Sequence, residues 1–290
     1  MRTKQIVFYI LSVALLSVSC RKEVKNDFED FSAMPVVNSI LVAGEPVQVH
    51  LSLTAQINSN DFLLVENAKI FLYADNVFVE ELSCTEKGIY RSNILVEPQK
   101  EYACKILIPD FDTLFCRSKI PATSRISNVK YIPAAGLDDE GLLHPALELT
   151  FENNLSQRLY YEVALRHLAL GYEHHVFILP NNDPLIVREG VNNLAVFSNE
   201  GIAEPFYTLK LNIRPSSAFH LDDKLLVEFR SVDYAYYQYV KNRKLYEQGY
   251  YSDVFENYSP VALYSNVDNA YGIFAGYTFV KTDTIYIKKN

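Results

Sequence analysis

Cys20 is the residue whose surroundings point most directly to a chemical modification. Arg2 and Lys4 precede an apolar run over residues 6–18, and small or apolar residues occupy positions 17–19 just before the cysteine. A secretory signal typically has basic residues at its N-terminus, followed by an apolar stretch and by small residues before the cleavage site. With cysteine at the cut, the pattern predicts a bacterial lipoprotein that carries a diacylglycerol on the Cys20 sulfur. The alternative is ordinary signal cleavage in which Cys20 has no special role.

The apolar run before Cys20 is too short to be a membrane span. It covers about thirteen residues, whereas a spanning helix needs roughly 20. We therefore expect residues 1–19 to be removed and the protein to be attached to a membrane through its N-terminal lipid, with several acyl chains giving stable anchorage. Residues 20–32 are charged and poor in aliphatic side chains, which predicts a tether.

His167 and His174 are the best metal-ligand candidates. If Leu170-Gly171 forms a two-residue turn, the two histidines lie opposite each other on paired strands, with Cβ atoms roughly 5 Å apart. Two imidazoles at that distance could share an ion. His175 would point to the other face, and no third ligand is visible on the His167 face. The alternative is a pair of exposed or hydrogen-bonded histidines.

The remaining cysteines, the acidic runs and the tyrosines each allow two interpretations. Cys84, Cys104 and Cys116 permit at most one disulfide, with 104 and 116 on consecutive strands, or are all small buried side chains. Acidic runs at 137–141, 181–183 and 222–223 suggest loose calcium binding or ordinary turns. Tyrosines crowd residues 234–277 and favour either a protein-docking face or packing of β layers.

No catalytic signature accompanies these residues. The sequence has no nucleophile elbow, no phosphate-binding loop, no zinc-binding helix motif and no EF-hand loop. We therefore expect no enzyme activity and no cofactor. The net charge of −8, without a basic face, excludes nucleic acid as a partner.

The elements that must position these residues are mainly β-strands. Apolar side chains alternate with polar ones at Val47, Val49 and Leu51, which predicts strands with one buried face. Strands are predicted near 34–42, 46–54, 68–74, 77–83, 88–94, 101–108 and 112–119. Seven short strands at this spacing predict an immunoglobulin- or fibronectin-like β-sandwich over residues 33–121. The segment before Tyr102 resembles the corner that a tyrosine anchors in such domains.

A second β-rich domain is predicted over residues 122–290, giving an all-β fold. Its strands are predicted near 125–132, 145–152, 158–169, 173–180, 184–189, 194–198, 206–213, 224–232, 271–280 and 284–288. Asp233 is suited to cap a single helix near 233–248.

The order of several segments resembles a known family. These are residues 35–41 (PVVNSIL), 44–52 (GEPVQVHLS), 65–72 (VENAKIFL), 88–90 (GIY) and 264–274 (YSNVDNAYGIF). Together with Cys20, they resemble lipoproteins of Bacteroides-type Gram-negative bacteria grouped as a domain of unknown function (DUF4249). The resemblance implies lipid-anchored location at the outer membrane, facing the periplasm or the exterior, and a TonB-dependent transporter as partner. It supplies no catalytic residues.

Three functions remain open at this point. The favoured one is a non-catalytic accessory or ligand-binding partner of a TonB-dependent nutrient-uptake system, with a small-molecule or glycan ligand that the sequence does not identify. The second is a surface metal-dependent hydrolase that uses His167 and His174. The third is a purely structural or adhesive envelope protein.

Overall fold

Alternating apolar residues form the strands of the first half of the chain, as the sequence predicts. The computed structural model describes residues 32–56, 63–215, 223–251, 261–282 and 285–287. The signal peptide, Cys20 and all of the tether except Ser32 lie outside these residues. Val47, Val49 and Leu51 are buried in one strand, and Ile70 and Leu72 in another. The all-β prediction is confirmed.

Nine strands are described in the first half. They are β1 (Pro35–Val42), β2 (Pro46–Leu53), β3 (Leu63–Leu64), β4 (Lys69–Ala74), β5 (Val77–Glu81), β6 (Ser83–Glu86), β7 (Ile89–Leu95), β8 (Glu101–Leu107) and β9 (Leu114–Lys119). Strands β1, β2 and β7 pack against β4, β8 and β9 around one hydrophobic core. The hydroxyl of Tyr102 accepts the backbone N–H of Glu97 at 2.9 Å, which confirms the tyrosine-anchored corner.

Ten further strands and two helices are described in the second half. They are β10 (Ile126–Leu137), β11 (Leu143–Glu152), β12 (Tyr160–Ala169), β13 (Tyr172–Ile178), α1 (Pro184–Arg188), β14 (Val196–Ser198), β15 (Phe206–Pro215), β16 (Lys224–Val232), α2 (Tyr234–Tyr251), β17 (Val267–Asp268), β18 (Tyr271–Lys281) and β19 (Ile285–Tyr286).

The prediction of a strand over 184–189 is wrong, because these residues form α1. Asp183 caps this helix, and its side chain accepts the N–H of Leu185 at 3.0 Å. Pro184 occupies the first turn, where its fixed φ favours a helix and its missing N–H costs nothing. The expectation of a single helix is corrected accordingly. Asp233 caps α2 as expected, with its Oδ1 accepting the N–H of Tyr236 at 2.7 Å.

Strand β18 joins the two halves of the chain. It pairs in antiparallel register with β16 and in parallel register with β1, from Val36–Tyr271 to Val42–Tyr277. The large sheet therefore runs β10-β11-β15-β13-β12-β16-β18-β1-β2-β7-β6, and the second sheet runs β17-β9-β8-β4-β5. Gly272 allows the close approach of β18 to β1, since a Cβ there would lie 1.9 Å from the Val37 carbonyl oxygen.

Three hydrophobic cores follow from this arrangement. The first lies between the sheets of residues 33–121 and also takes in Val267 and Phe274. The second is built around Phe151, Tyr161, Phe197 and Phe229. The third packs α2 on β18. Residues 33–290 form one compact unit, and the domain boundary at 121/122 stays a prediction.

Candidate functional site

Asp233 is part of the lining of a cleft in the described part of the chain. It lies at the junction of β16 and α2, and its Oδ2 accepts the Ser118 hydroxyl of β9 at 2.5 Å and the N–H of Gly276 of β18 at 3.2 Å. Burial raises the pKa of Asp233 to about 6, while its hydrogen-bond donors act in the opposite direction. One carboxyl group therefore ties three elements together beneath the cleft.

The cleft has a volume of about 1720 Å³ and lies where distant segments of the chain meet. Its lining comes from residues 117–125, 152–160 and 232–235, together with Gln99, Pro205, Tyr264 and Asn266. A pocket for a small molecule usually measures roughly 300–1,000 Å³. This cleft is therefore large enough for a ligand that is built from several linked building blocks.

One side of the cleft is a tyrosine wall, defined here as Tyr160, Tyr234 and Tyr264. The ring centroids of Tyr160 and Tyr234 are 5.4 Å apart, and those of Tyr234 and Tyr264 are 6.4 Å apart. Tyr237 backs the wall from the protein interior, 4.6 Å from Tyr160. Burial raises the pKa values of Tyr160 and Tyr264, so these phenols stay neutral and can donate hydrogen bonds.

The other feature of the cleft is a basic rim of four exposed side chains: Arg117, Lys119, Arg125 and Arg158. Arg158 forms an exposed ion pair with Glu200 at 2.5 Å, and its guanidinium carbon lies 5.8 Å from the centroid of the Tyr160 ring. Glu152 is the exposed acidic residue in the lining, since Asp233 is enclosed by its donors. The rim is therefore basic in a chain whose net charge is −8.

Asn199 holds the loop that carries Arg158. Its buried amide donates to the Asn153 side chain at 2.9 Å and to the carbonyls of Asn154 and Gln157 at 3.1 and 2.9 Å. Its oxygen accepts the N–H of Leu159 at 2.9 Å. These four bonds fix the connection between β11 and β12. Asn199, Tyr160 and the basic rim were not singled out as a site from the sequence, whereas Tyr234 and Tyr264 belong to the Tyr-rich segment for which a protein-docking face was one interpretation. No local pattern joins them, because the lining comes from segments as distant as Arg117 and Tyr264.

The predicted histidine hairpin is present. Leu170 and Gly171 both have positive φ angles (52° and 83°), and the rings of His167 and His174 lie 5.6 Å apart. His167 is buried, and its Nε2 is 2.9 Å from Oδ2 of Asp223, a partner that the sequence did not reveal. No cluster of three His, Cys, Asp or Glu side chains within the described ranges is arranged to hold a metal ion. The metal hypothesis stays a prediction, and the contact of His167 with Asp223 matches the alternative of a hydrogen-bonded histidine.

The cysteines and acidic runs outside the cleft have structural surroundings. Cys104 and Cys116 face each other in a register pair of β8 and β9, and both are free and buried. Hydrogen bonding to Cys116 and burial raise the pKa of the Cys104 thiol, which therefore stays protonated. Cys84 is exposed, so the interpretation of all three as buried side chains is wrong for that residue.

Three described aspartates of the acidic runs, Asp138, Asp183 and Asp223, are bound by protein donors. Asp138 accepts the N–H groups of Glu140 and Leu142 and contacts Arg214, and its pKa is lowered, chiefly by the Leu142 hydrogen bond. Asp183 caps α1, and Asp223 pairs with His167. This arrangement matches the turn interpretation. Asp222 lies outside the described residues.

No helix in the described residues has both the length and the apolar character to cross a membrane.

Comparisons with known proteins show which family the chain belongs to. A search of curated proteins finds no match. The profile of a family described as a domain of unknown function (DUF4249) matches residues 21–283, which is most of the chain and includes every residue of the cleft. The chain therefore belongs to the family of the domain of unknown function DUF4249.

Proposed function

We propose that this protein is an outer-membrane lipoprotein, anchored through Cys20, that acts as a non-catalytic ligand-binding accessory of a TonB-dependent nutrient-uptake system. The observation that carries the proposal is the cleft of about 1720 Å³, whose lining includes both the tyrosine wall and the basic rim. Large concave sites with a few convergent polar groups are the usual places for ligands. The described lining contains no histidine or cysteine, and its buried carboxyl group is engaged in holding the fold.

The signal pattern before Cys20 supports the anchored location, since the lipid would keep the cleft at the membrane surface where a transporter lies. Aromatic residues with a polar tip, such as those of the Tyr-rich segment, favour protein contacts as well as ligand contacts. Tyr234 and Tyr246 are exposed on α2, whereas Tyr236 and Tyr237 are buried against the sheet. The segment therefore contributes both to packing and to the surface.

The anchor is tested with a Cys20→Ala variant in the native bacterium, with Cys84→Ala as the matched control because Cys84 is the exposed cysteine of the folded unit. Mass spectrometry should find an acylated Cys20 at the N-terminus of the wild type and of the Cys84→Ala protein. Cys20→Ala should lack the acyl group and lose most nutrient uptake. A free, unmodified Cys20 thiol in the wild type would refute the anchored location.

The partnership is tested by detergent extraction and affinity capture of the tagged wild-type protein. We expect recovery of an outer-membrane TonB-dependent transporter in comparable amount to the bait. Recovery without such a transporter, together with unchanged uptake in the deletion strain, would favour the structural or adhesive alternative.

A further inference from the structure

The basic rim is a local patch of positive charge on a protein whose net charge is negative. Four exposed cationic side chains line the cleft against one exposed carboxylate of the lining, that of Glu152, and Arg158 is also paired with Glu200 just outside the lining. Asp233 does not face a ligand as a free charge, because Ser118 and two backbone N–H groups enclose it. Clefts lined by one sign of charge concentrate ligands of the opposite sign. Arginine in particular binds carboxylates through two parallel hydrogen bonds. The cleft is therefore suited to an anion.

The tyrosine wall adds an aromatic surface to the cleft, against which a ring of a ligand can pack. Tyr234 is half exposed, and Tyr160 and Tyr264 are partly exposed beside it. The centroids of neighbouring rings are 5.4 and 6.4 Å apart, and the ring planes are inclined by 54° and 84°. They therefore form an angled aromatic surface against which a ring of a ligand can pack. Arg158 stands over the edge of this surface, near Tyr160. A ligand that combines a flat apolar face with a negative charge would contact the wall and the rim together.

The rest of the exposed lining is polar. Thr123, Asn154, Ser156 and Gln157 are exposed hydroxyl and amide side chains, which both donate and accept hydrogen bonds. Leu155 is the one large aliphatic side chain that the described lining exposes. Grooves that take peptide helices present a row of apolar anchors instead. The lining therefore fits a hydroxyl-rich ligand better than an apolar or helical one.

We propose that the cleft binds an acidic oligosaccharide, with its uronate carboxylates on the basic rim and its sugar rings against the tyrosine wall. This inference rests on the proposed ligand-binding function and names the class of its ligand. A cleft of about 1720 Å³ exceeds the ordinary size of a monosaccharide-scale pocket and accommodates several sugar units.

The test is a titration of the detergent-solubilised mature protein with four hexameric probes. Hexagalacturonate and a hyaluronate hexamer represent acidic sugars, maltohexaose is a neutral sugar, and hexaglutamate is an acidic peptide. We expect at least one acidic sugar to bind with a Kd below about 100 µM and at least about tenfold more tightly than maltohexaose and hexaglutamate. Its affinity should fall as salt is raised.

Two pairs of variants locate the site. Arg158→Ala should weaken binding of the acidic sugar about tenfold, because a charge-assisted contact is lost. Arg166→Ala is the matched control: Arg166 is 46% exposed and pairs with Glu173, as Arg158 is 57% exposed and pairs with Glu200, but it lies outside the cleft. Tyr234→Ala should weaken binding about fivefold. Tyr246→Ala, on the same helix at 48% exposure against 50% for Tyr234, should change it less than twofold.

Several results would overturn the inference. These are equal or tighter binding of hexaglutamate or maltohexaose, equal losses in the variants and their controls, or binding of neither acidic sugar below about 1 mM. Thermal melting of each variant confirms that it is folded. Failure of these titrations while Cys20 acylation and transporter capture succeed would reject the ligand class and leave the proposed accessory function standing.

Discussion

Two carboxyl groups beside α2, those of Asp233 and Glu189, show how nearby cations reverse the effect of burial. Glu189 is buried and Asp233 is partly buried, and in both cases the loss of water favours the protonated form. Asp233 is bound by neutral donors, and its pKa is raised to about 6 by burial. Burial also acts on Glu189, but hydrogen bonds from Lys241 and Tyr237 outweigh it and lower the pKa.

The difference lies in nearby cations. Nη2 of Arg188 is 3.4 Å from Oε1 of Glu189, and Lys241 lies closer still. The Lys241 ammonium is 2.7 Å from Oε2 of Glu189 and 4.8 Å from the centroid of the Tyr237 ring, while the N–H of Ser198 donates to Oε1 at 3.0 Å. No cation lies within salt-bridge distance of Asp233 among the described residues. Glu189 thus forms a charged contact among α1, β14 and α2, which we call the clamp. Asp233 connects β9, β18 and α2 through hydrogen bonds alone.

The largest expected effect comes from removing the nearer cation. Lys241→Ala leaves the buried Glu189 with only the more distant Arg188, and we expect the free energy of unfolding to fall by about 3 kcal/mol. Urea denaturation at pH 7 measures the change. Lys244→Ala on the same helix is the control and should stay within about 0.5 kcal/mol of the wild type. Equal losses in both variants would mean that the clamp contributes nothing specific.

A smaller effect is expected from the titration of Asp233. Its pKa in the folded protein lies above the ordinary value of 3.8, so the folded state binds the proton more tightly than the unfolded state does. The resulting stabilisation is present below pH 4 and is lost as pH rises from about 4 to 6. Asp233→Asn removes this titration and keeps a capping oxygen.

The measurement is unfolding at several pH values between 4 and 7. Relative to Asp233→Asn, the wild type should lose about 2–3 kcal/mol of stability across this range. The lowered pKa of Glu189 has the opposite consequence, because its contribution is lost as pH falls below its ordinary value. Parallel pH curves for the wild type and Asp233→Asn would show that Asp233 is not shifted upward.

The smallest effect is expected from one hydroxyl group. The Tyr237 hydroxyl donates to Oε2 of Glu189 and accepts from Lys241 at 3.0 Å. Tyr237→Phe keeps the ring and the ion pair, and we expect a loss of about 1–2 kcal/mol. Tyr246→Phe, at an exposed position of α2, should be neutral in the same denaturation assay. A loss above that of Lys241→Ala would contradict the view that the Lys241 cation is the decisive neighbour.

Local signals in the sequence predicted local structure. The alternation around Val47, Val49 and Leu51, the corner at Tyr102, the cap at Asp233 and the turn at Leu170-Gly171 are all found where they were expected. Each of these features depends on a few residues that are neighbours in the sequence, so it can be predicted from the sequence directly.

Other features depended on contacts that the sequence does not reveal. Asp183-Pro184 carried a helix-start signal, but the apolar residues that follow favoured a strand interpretation. The partner of His167 is Asp223, 56 residues away, and the cleft brings together Arg117, Arg158 and Tyr264. Such sites form only when the sheets pair, and no local pattern encodes their pairing.

The parallel pairing of β18 with β1 gives this protein an unusual order of assembly during synthesis. When a ribosome has made residues 1–121, β1 has its antiparallel neighbour β2 but not the strand that covers its other edge. That strand is made some 150 residues later, and until then the edge displays open N–H and C=O groups of the kind that recruit other chains. The first-made half therefore depends on a strand made long after it, and the edge of β1 stays open for most of the synthesis of residues 43–270.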